Sequence, residues 1–174
     1  PTFGYPKLRL NLIVEFTDGT RQTISSDEKW KLTSDGPIRS NNEYDGEEYD
    51  ARKELGDWAK VGYDDSKWTN AQRVSIPSAT LRGTMAPNMK VLDKVRPLSI
   101  VKLGDKYIMD MGQNMVGWIR MKVRGAKDDV ITLRFAETLQ KNGELYVENL
   151  RDARVIDKYI CNGKENGTEW APSF

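Results

Sequence analysis

Apolar and polar residues alternate along several short stretches of the chain, beginning with residues 7–16. Strict alternation over this length predicts a β-strand with one buried face. The apolar positions of this stretch are Leu8, Leu10, Leu12, Val14 and Phe16. Asp18-Gly19 then predicts a hairpin turn, after which residues 21–25 return as the partner strand. A third strand is predicted over 29–33.

The same alternation returns after residue 98. Strands are predicted over 99–103 and 106–109, on either side of a turn at Gly104-Asp105. Two further alternating segments cover 117–123 and 130–136. The residues of these segments that are expected to face inward are Ile119, Met121, Val123, Ile131, Leu133 and Phe135.

The last part of the chain adds a turn at Asn142-Gly143, a strand over 157–161 and the beginning of another at 169–174. Short strands thus recur roughly every eight to twelve residues, and no long amphipathic helix interrupts them. This spacing is typical of β-sandwiches. We therefore predict an all-β fold with two jelly-roll-like β-sandwich units, both incomplete.

Two stretches lack the alternation. Residues 34–62 are rich in Asp, Asn, Glu, Gly and Tyr, and they predict a long surface loop with short extended pieces. Residues 77–97 contain three prolines and predict an extended connector. Val91, Leu92 and Val95 of this connector are expected to pack along a surface.

Between these two stretches, Asp64-Asp65-Ser66 predicts a tight turn. This turn would direct Trp68 into the core, and residues 72–76 predict one more strand. The resulting division is an N-terminal jelly-roll part over 1–78, a connector over 79–97 and a second β-sandwich over 98–174.

Composition narrows the possible chemistry. The 174 residues carry 27 basic and 26 acidic side chains, and this balance argues against a nucleic-acid-binding surface. The absence of histidine excludes a Ser-His-Asp triad and the commonest zinc sites. The single cysteine, Cys161, allows no internal disulfide and is expected to be buried and unreactive. No apolar run approaches the ~18 residues of a membrane span.

Residues 41–52 combine carboxylates, amides and aromatic rings. Such groups suit sugar binding, because the oxygens bond hydroxyl groups while a ring packs on the apolar face of the sugar. The same oxygens suit calcium, although their spacing does not match an EF-hand loop. The alternative interpretation is a solvated polar loop in which Asp50 and Arg52 make structural bonds. No pair of carboxylates stands in a setting that predicts a glycosidase active site.

The chain has five tryptophans. Trp58 lies in the polar stretch and is predicted to be the most exposed of them, open to a sugar ring. Most of the others are expected to anchor a core or a domain contact. They are Trp30, Trp68, Trp118 and Trp170.

Three groups of motifs follow one another in a recognisable order. The first group is Ser-Asp-Glu-Lys-Trp-Lys at 26–31, Gly-Pro-Ile at 36–38 and Tyr-Asp-Gly-Glu-Glu-Tyr-Asp-Ala-Arg at 44–52. The second is Gly-Tyr-Asp-Asp-Ser-Lys-Trp at 62–68. The third is Asp-Met-Gly-Gln-Asn-Met-Val-Gly-Trp at 110–118, with Ala-Glu-Thr-Leu at 136–139 and Asn-Gly at 142–143. Together they resemble the bacterial α-L-rhamnosidases of glycoside hydrolase family 78, and the resemblance covers nearly the whole chain.

The family implies an N-terminal jelly roll, a second β-sandwich and then a catalytic (α/α)6 barrel that hydrolyses α-L-rhamnosides with inversion. The chain, which opens with Pro1-Thr2, is interpreted as a piece of such a protein without the barrel, so no catalytic residue of the family maps onto it. The barrel would be its partner, in a periplasmic or secreted bacterial parent. Incomplete sandwiches also predict self-association through exposed strand edges.

In some members of this family the jelly roll binds rhamnose with the help of calcium. In those proteins an Asp-Asn pair, which lies just before a Tyr-x-Gly-Glu segment, holds the calcium ion. The matching place here reads Asn41-Asn42-Glu43. The resemblance implies calcium near Asn42 and Glu43, and no other cofactor. The candidate carbohydrate-binding residues are Asn41, Asn42, Glu43, Tyr44 and Trp58.

Three functions are compatible with this kind of sequence: a structural scaffold for the barrel, a carbohydrate-binding module, and an enzyme in its own right. The lack of catalytic residues argues against the enzyme. The missing Asp at the calcium motif favours the scaffold. An open cleft lined by Trp58 and residues 41–50 would favour binding, whereas burial of 41–50 in the second sandwich would favour the scaffold.

Overall fold

The computed structural model describes residues 7–75, 80 and 82–173, and within them it confirms the all-β class. Among the residues described, no helix is long and apolar enough to cross a bilayer. The same residues contain two single 3-10 turns, at Ala51–Lys53 and Glu148–Leu150. The strands are β1 (Asn11–Glu15), β2 (Arg21–Ser25), β3 (Lys31–Leu32), β4 (Ile38–Asn42), β5 (Gly46–Asp50), β6 (Thr69–Asn70), β7 (Ser99–Leu103), β8 (Lys106–Asp110), β9 (Met121–Val123), β10 (Val130–Arg134), β11 (Thr138–Leu139), β12 (Leu145–Tyr146), β13 (Ile156–Ile160) and β14 (Thr168–Trp170).

The chain forms two compact units, and the first comprises the described parts of Pro1–Asp35 and Gly56–Gly83. Its main element is the predicted hairpin, in which β1 and β2 pair antiparallel around the turn. Asp18 Oδ1 accepts a hydrogen bond from the Thr20 amide at 2.9 Å, which explains the choice of Asp at this turn. The third predicted strand is present as β3, which pairs with β6.

The prediction that one face of residues 7–16 is buried is wrong for this chain. Leu12 is 52% exposed and Phe16 is 48% exposed. Alternation determines which side chains share a face, but burial also needs a second layer. Among the described residues, β1 and β2 form a sheet of only two strands. The apolar face therefore remains open.

Two other expectations for this region need correction. Residues 72–75 form no strand, because the pairing with β3 ends at Thr69–Asn70, and Ile76 lies outside the described residues. Trp68 is half-buried and packs edge-on against Tyr63, with ring centroids 5.7 Å apart. The predicted turn before it is present, since Asp64 Oδ1 accepts the Ser66 amide at 3.0 Å.

The described residues of the connector, 80 and 82–97, contain no strand or helix. Residues 77–79 and 81 lie outside the described part of the chain. Val91, Leu92 and Val95 are 59%, 88% and 42% exposed. The expectation that they pack along a surface is therefore wrong.

The second unit comprises Gly36–Leu55 and the described part of Thr84–Phe174. Its centre is a four-stranded sheet in the order β10-β13-β5-β4. The β13–β5 pair is parallel, and the two outer pairs are antiparallel. The core on this sheet consists of Ala51, Val123, Tyr159, Cys161 and Trp170.

Most of the inward-facing residues predicted for this unit are confirmed. Val123 is buried, and the residues packed against the core include Ile119, Met121, Ile131 and Leu133. Phe135 is the exception at 36% exposure, because β10 ends at Arg134. Cys161 is buried as expected, and burial raises the pKa of its thiol. The hairpins β7–β8 and β11–β12 and the late strands β13 and β14 also lie where the turn signals predicted them.

The prediction of a long surface loop with short extended pieces over 34–62 is wrong for residues 38–50. This stretch contains β4 and β5, and β5 lies inside the sheet between β4 and β13. Residues 36–55 thus pair with the second unit, whereas the predicted division assigned them to the N-terminal part. The sequence pattern missed β5 because its buried residues, Glu47 and Asp50, are charged.

Gly46 at the start of β5 provides a test of this packing. Its φ is +93°, and a Cβ there would lie 2.2 Å from the backbone oxygen of Ile156. Because backbone cannot yield as a side-chain end can, we expect Gly46→Ala to lower the free energy of unfolding by more than ~3 kcal/mol. Urea denaturation measures this change.

The matched control is Gly19→Ala. Gly19 has a similar φ of +82°, but no atom lies within 4 Å of its added Cβ. Only the conformational cost of about 1–2 kcal/mol applies there. Equal losses for the two variants would contradict the close approach of Gly46 to β13.

Candidate functional site

The predicted site residues fall into both units of the structure. Asn41 and Asn42 end β4, and Glu43 and Tyr44 form the turn that leads into β5. Trp58 belongs to the other unit.

Asn41 is part of a hydrogen-bond network around a buried carboxylate. Its Nδ2 donates to Glu47 Oε2 at 2.9 Å and to Ser173 Oγ at 2.6 Å. The Ser173 amide also donates to Glu47 Oε2 at 3.0 Å, and its hydroxyl donates to the same oxygen. Glu47 is only 2% exposed. A buried carboxylate needs such donors, so Asn41 has a structural role here.

Asp157 is the second acid of this network. It is 8% exposed, and its Oδ1 accepts the Glu47 amide at 2.9 Å. Burial raises the pKa of the Asp157 carboxyl, and the negative charge of Glu47 raises it further. This contact joins the second residues of β5 and β13, the two strands that pair in parallel.

Asn42 and Asp45 shape the β4–β5 turn. Asn42 Oδ1 accepts the amides of Tyr44 and Asp45 at 3.0 and 2.8 Å. Asp45 Oδ1 in turn accepts Arg154 Nε at 3.2 Å, and this hydrogen bond lowers the pKa of the Asp45 carboxyl. The tip of the hairpin is thereby fastened to the segment that precedes β13.

The oxygens of Asn42 and Asp45 in this turn are engaged within the protein. The Asn42 oxygen already accepts two amides, and the cation beside Asp45 is Arg154. Calcium takes six or more oxygen ligands. In the described residues no group of three or more His, Cys, Asp or Glu side chains is placed to hold a metal ion. The calcium expectation for Asn42 and Glu43 stays an untested prediction.

Asp50 and Arg52 make the structural bonds that the alternative interpretation expected. Asp50 is 5% exposed and accepts Arg52 Nε at 2.8 Å and Nη2 at 2.7 Å. Arg52 also donates to Asp128 Oδ1 at 2.5 Å. The hydrogen bond from Arg52 lowers the pKa of the Asp50 carboxyl. These residues close the end of β5 onto the 3-10 turn that follows it.

An aromatic cluster on the sheet was not predicted as a group. Tyr49 of β5 stacks on Tyr159 of β13 with ring centroids 5.5 Å apart, and Trp170 lies 5.2 Å from Tyr159. Burial raises the pKa of the Tyr49 phenol to about 12. Trp170 is thus a core residue, as expected for most of the tryptophans.

The remaining candidates are open to solvent. Glu43 is exposed, and Tyr44 is 66% exposed at the tip of the β4–β5 turn. Trp58 is 57% exposed, beside an ion pair of Asp57 and Lys60 at 2.9 Å. An accessible indole ring can pack on the apolar face of a sugar. The ring of Trp58 is therefore accessible to a sugar, as predicted from the sequence.

Comparison with known proteins identifies the family. Residues 2–93 match the α-L-rhamnosidase N-terminal domain, and residues 101–174 match the bacterial α-L-rhamnosidase concanavalin-like domain. The chain belongs to the α-L-rhamnosidase family. The second match also agrees with the predicted β-sandwich, and the resemblance drawn from the sequence motifs is confirmed.

Individual relatives agree over nearly the whole chain. An α-L-rhamnosidase of Alteromonas sp. (strain LOR) is 37% identical over 171 residues, which are 97% of this chain and 18% of the relative. The structure of the α-L-rhamnosidase from Dictyoglumus thermophilum matches 99% of this chain with a TM-score of 0.91 and 36% identity. That of Streptomyces avermitilis, complexed with L-rhamnose, matches 94% with a TM-score of 0.83 and 33% identity. The chain spans 20% and 16% of these two structures.

Substitutions at Asp157 test the buried network. Asp157→Asn keeps an oxygen for the Glu47 amide and removes a charge, whereas Asp157→Ala leaves that amide without its acceptor. We expect Asp157→Ala to lower the free energy of unfolding by about 1–3 kcal/mol at pH 7. The free energy of unfolding of Asp157→Asn should equal or exceed that of the unsubstituted protein at pH 7.

The pH dependence has a definite sign. The folded pKa of Asp157 is raised, so the folded state binds the proton more tightly than the unfolded state. The contribution of Asp157 to stability therefore falls as the pH rises from about 3.9 through the folded pKa. Any gain in the free energy of unfolding from Asp157→Asn should therefore disappear below this pH range. Urea denaturation at several pH values measures the change. If Asp157→Asn lost as much stability at pH 7 as Asp157→Ala, the role of Asp157 as acceptor of the Glu47 amide would be contradicted.

Proposed function

We propose that this region is a non-catalytic, accessory β-sandwich part of an α-L-rhamnosidase. In this proposal the parent enzyme removes terminal α-L-rhamnose from glycans or glycosides, and its catalytic (α/α)6 barrel lies elsewhere in the polypeptide. The region described here supports that barrel as a rigid scaffold.

The observation that carries this proposal is the internal use of the buried acids. Glu47, Asp50 and Asp157 are each less than 9% exposed and have protein hydrogen-bond donors. A glycosidase instead needs two carboxyl groups that face a cleft and reach the scissile bond from its two sides. Acids that hold strands together suit a scaffold better than catalysis.

The lengths of the relatives agree with this division of labour. The chain covers 16–18% of the curated α-L-rhamnosidases named for that activity. More than four-fifths of each relative is therefore available for the catalytic machinery. Its main partner would be the remainder of its own polypeptide.

Hydrolysis gives the direct test. The 174-residue protein at about 10 µM, a concentration far above that needed for glycosidase turnover, is incubated with a chromogenic aryl α-L-rhamnoside. We expect no release of the aryl group above the rate in buffer. Release that survives repurification and is abolished by substitution of an acid in this chain would overturn the non-catalytic assignment.

A carbohydrate-binding module is the second candidate, which the exposed ring of Trp58 favours. Calorimetric titration with L-rhamnose, first with calcium and then with chelator, separates the two functions. The scaffold proposal expects no heat of binding up to about 20 mM sugar, equivalent to a ΔG weaker than roughly −2.3 kcal/mol.

If heat is observed, substitutions locate its source. Loss of binding in Trp58→Ala, with binding kept in the similarly exposed Trp118→Ala, would assign a sugar platform to Trp58. Heat that requires calcium and is lost in Glu43→Gln would instead support the turn after β4. Either result would replace the scaffold by the binding module.

A further inference from the structure

Two buried acids lie opposite each other where β5 and β13 begin to pair. The register places Glu48 opposite Lys158, so Glu47 lies opposite Asp157 one position earlier. Successive side chains of a strand alternate between its two faces, and such partners therefore share a face. Glu47 is 2% exposed and Asp157 is 8% exposed. Two carboxyl groups are thus neighbours in the interior of the second unit.

These two acids belong to different family domains. Glu47 lies within the N-terminal match over residues 2–93, and Asp157 lies within the concanavalin-like match over 101–174. Both nevertheless lie in one sheet, because β5 is placed between β4 and β13. Since β5 has a neighbour on each side, no further strand can separate the two acids. Their contact ties a hairpin of the N-terminal family domain to a strand of the concanavalin-like domain.

We propose that Glu47 and Asp157 form a pH-sensitive latch, the acid latch, which controls how firmly β5 is held against β13. While Asp157 holds a proton, the two carboxyl groups carry at most one negative charge. Loss of that proton places a second negative charge beside Glu47 in a buried position, where like charges repel strongly. The pairing of β5 with β13 then opens more often, because opening exposes the charges to water.

The groups that face Asp157 give its charge little compensation. Its partner on β10 is Leu133, which is apolar. Asn41 and Ser173, which donate to Glu47, are uncharged. Among the described residues, Glu47 is the one charged group that acts on the Asp157 carboxyl. Burial raises the pKa of this carboxyl, the hydrogen bond from the Glu47 amide lowers it and the charge of Glu47 raises it, so that the net change is upward.

The cations close to Asp157 in the sequence are engaged elsewhere. Arg154 Nε donates to Asp45 Oδ1 at the tip of the β4–β5 turn at 3.2 Å. Lys158 follows Asp157 directly and therefore projects from the opposite face of β13, where its Nζ lies 3.9 Å from Glu48 Oε2. Neither cation can neutralise Asp157 without giving up its present partner. A proton is thus the available means of neutralising this position.

Two amides of β5 report on its two sides separately. Successive amides of a strand point to opposite neighbours. The Glu47 amide donates to Asp157, whereas the Asp50 amide donates to the Pro37 oxygen at 2.7 Å, just before β4. The Tyr49 amide therefore points to β13, on the side of the acid latch. Exchange of the Tyr49 amide measures the β5–β13 pairing, and exchange of the Asp50 amide measures the β4–β5 pairing.

Hydrogen exchange followed by NMR on the 174-residue chain, from about pH 4 to 7.5, tests the proposal. After correction for intrinsic exchange, we expect the opening constant at Tyr49 to rise by up to about tenfold per pH unit above ~3.9. The sign follows because the closed state binds the proton more tightly than the open state. The rise ends where the Asp157 carboxyl is fully ionised in the closed state. An opening constant at Tyr49 that does not change with pH, or an equal rise at Asp50, would overturn the acid latch.

Asp157→Asn provides the decisive variant. It keeps an oxygen for the Glu47 amide and cannot ionise, so the opening constant at Tyr49 should no longer depend on pH. The control is Glu48→Gln, which removes a partly exposed acid from the same strand and should leave the pH dependence unchanged. A dependence that survives Asp157→Asn, or one that Glu48→Gln abolishes as well, would count decisively against the proposal.

Glu47→Gln tests the second member of the acid latch. It keeps an acceptor oxygen for Asn41 and Ser173 but removes the charge beside Asp157. The pH dependence at Tyr49 should then cover a narrower range, since burial alone is left to raise the pKa of Asp157. Circular dichroism checks that each variant folds. A range as wide as that of the unsubstituted protein would remove Glu47 from the proposed pair and overturn the latch.

Discussion

The parallel pairing of β5 with β13 is the contact on which the second unit depends. It joins Glu48, Tyr49 and Asp50 to residues about 110 positions later in the chain. Loop closure over such a distance is unfavourable, so side-chain interactions must compensate for it. On one face of the sheet the stacked rings of Tyr49 and Tyr159 stabilise the pairing. Near the start of the two strands the hydrogen bond from the Glu47 amide to Asp157 stabilises it as well.

Several local features follow from this one pairing. Glu47 is drawn into the interior, where Asn41 and Ser173 provide its donors. Gly46 must lack a side chain because β13 passes directly beside it. Asn41 and Asn42, whose motif resembles a ligand-binding sequence, make hydrogen bonds to the buried acid and within the hairpin turn. In β5 the buried positions are thus occupied by the charged residues Glu47 and Asp50.

Sequence reasoning succeeded where the determining interactions are local. The turns at Asp18-Gly19, Gly104-Asp105 and Asn142-Gly143 were predicted because turn chemistry depends on a few adjacent residues. It failed for β5, because a run of acids and tyrosines has no apolar alternation, and the same residue types suit a sugar site. Only the distant partners Asp157 and Ser173 distinguish the two cases, and no periodicity identifies them.

The electrostatics of the network also bear on the choice between scaffold and enzyme. A general acid in a glycosidase must hold a proton near neutral pH and release it to a leaving group in a cleft. Glu47 accepts hydrogen bonds from Asn41 and Ser173, so its carboxylate is occupied within the protein interior. Asp157 has a raised pKa, but its Oδ1 is directed at the backbone of β5. Both acids are thus engaged within the sheet, where each accepts hydrogen bonds from the protein itself.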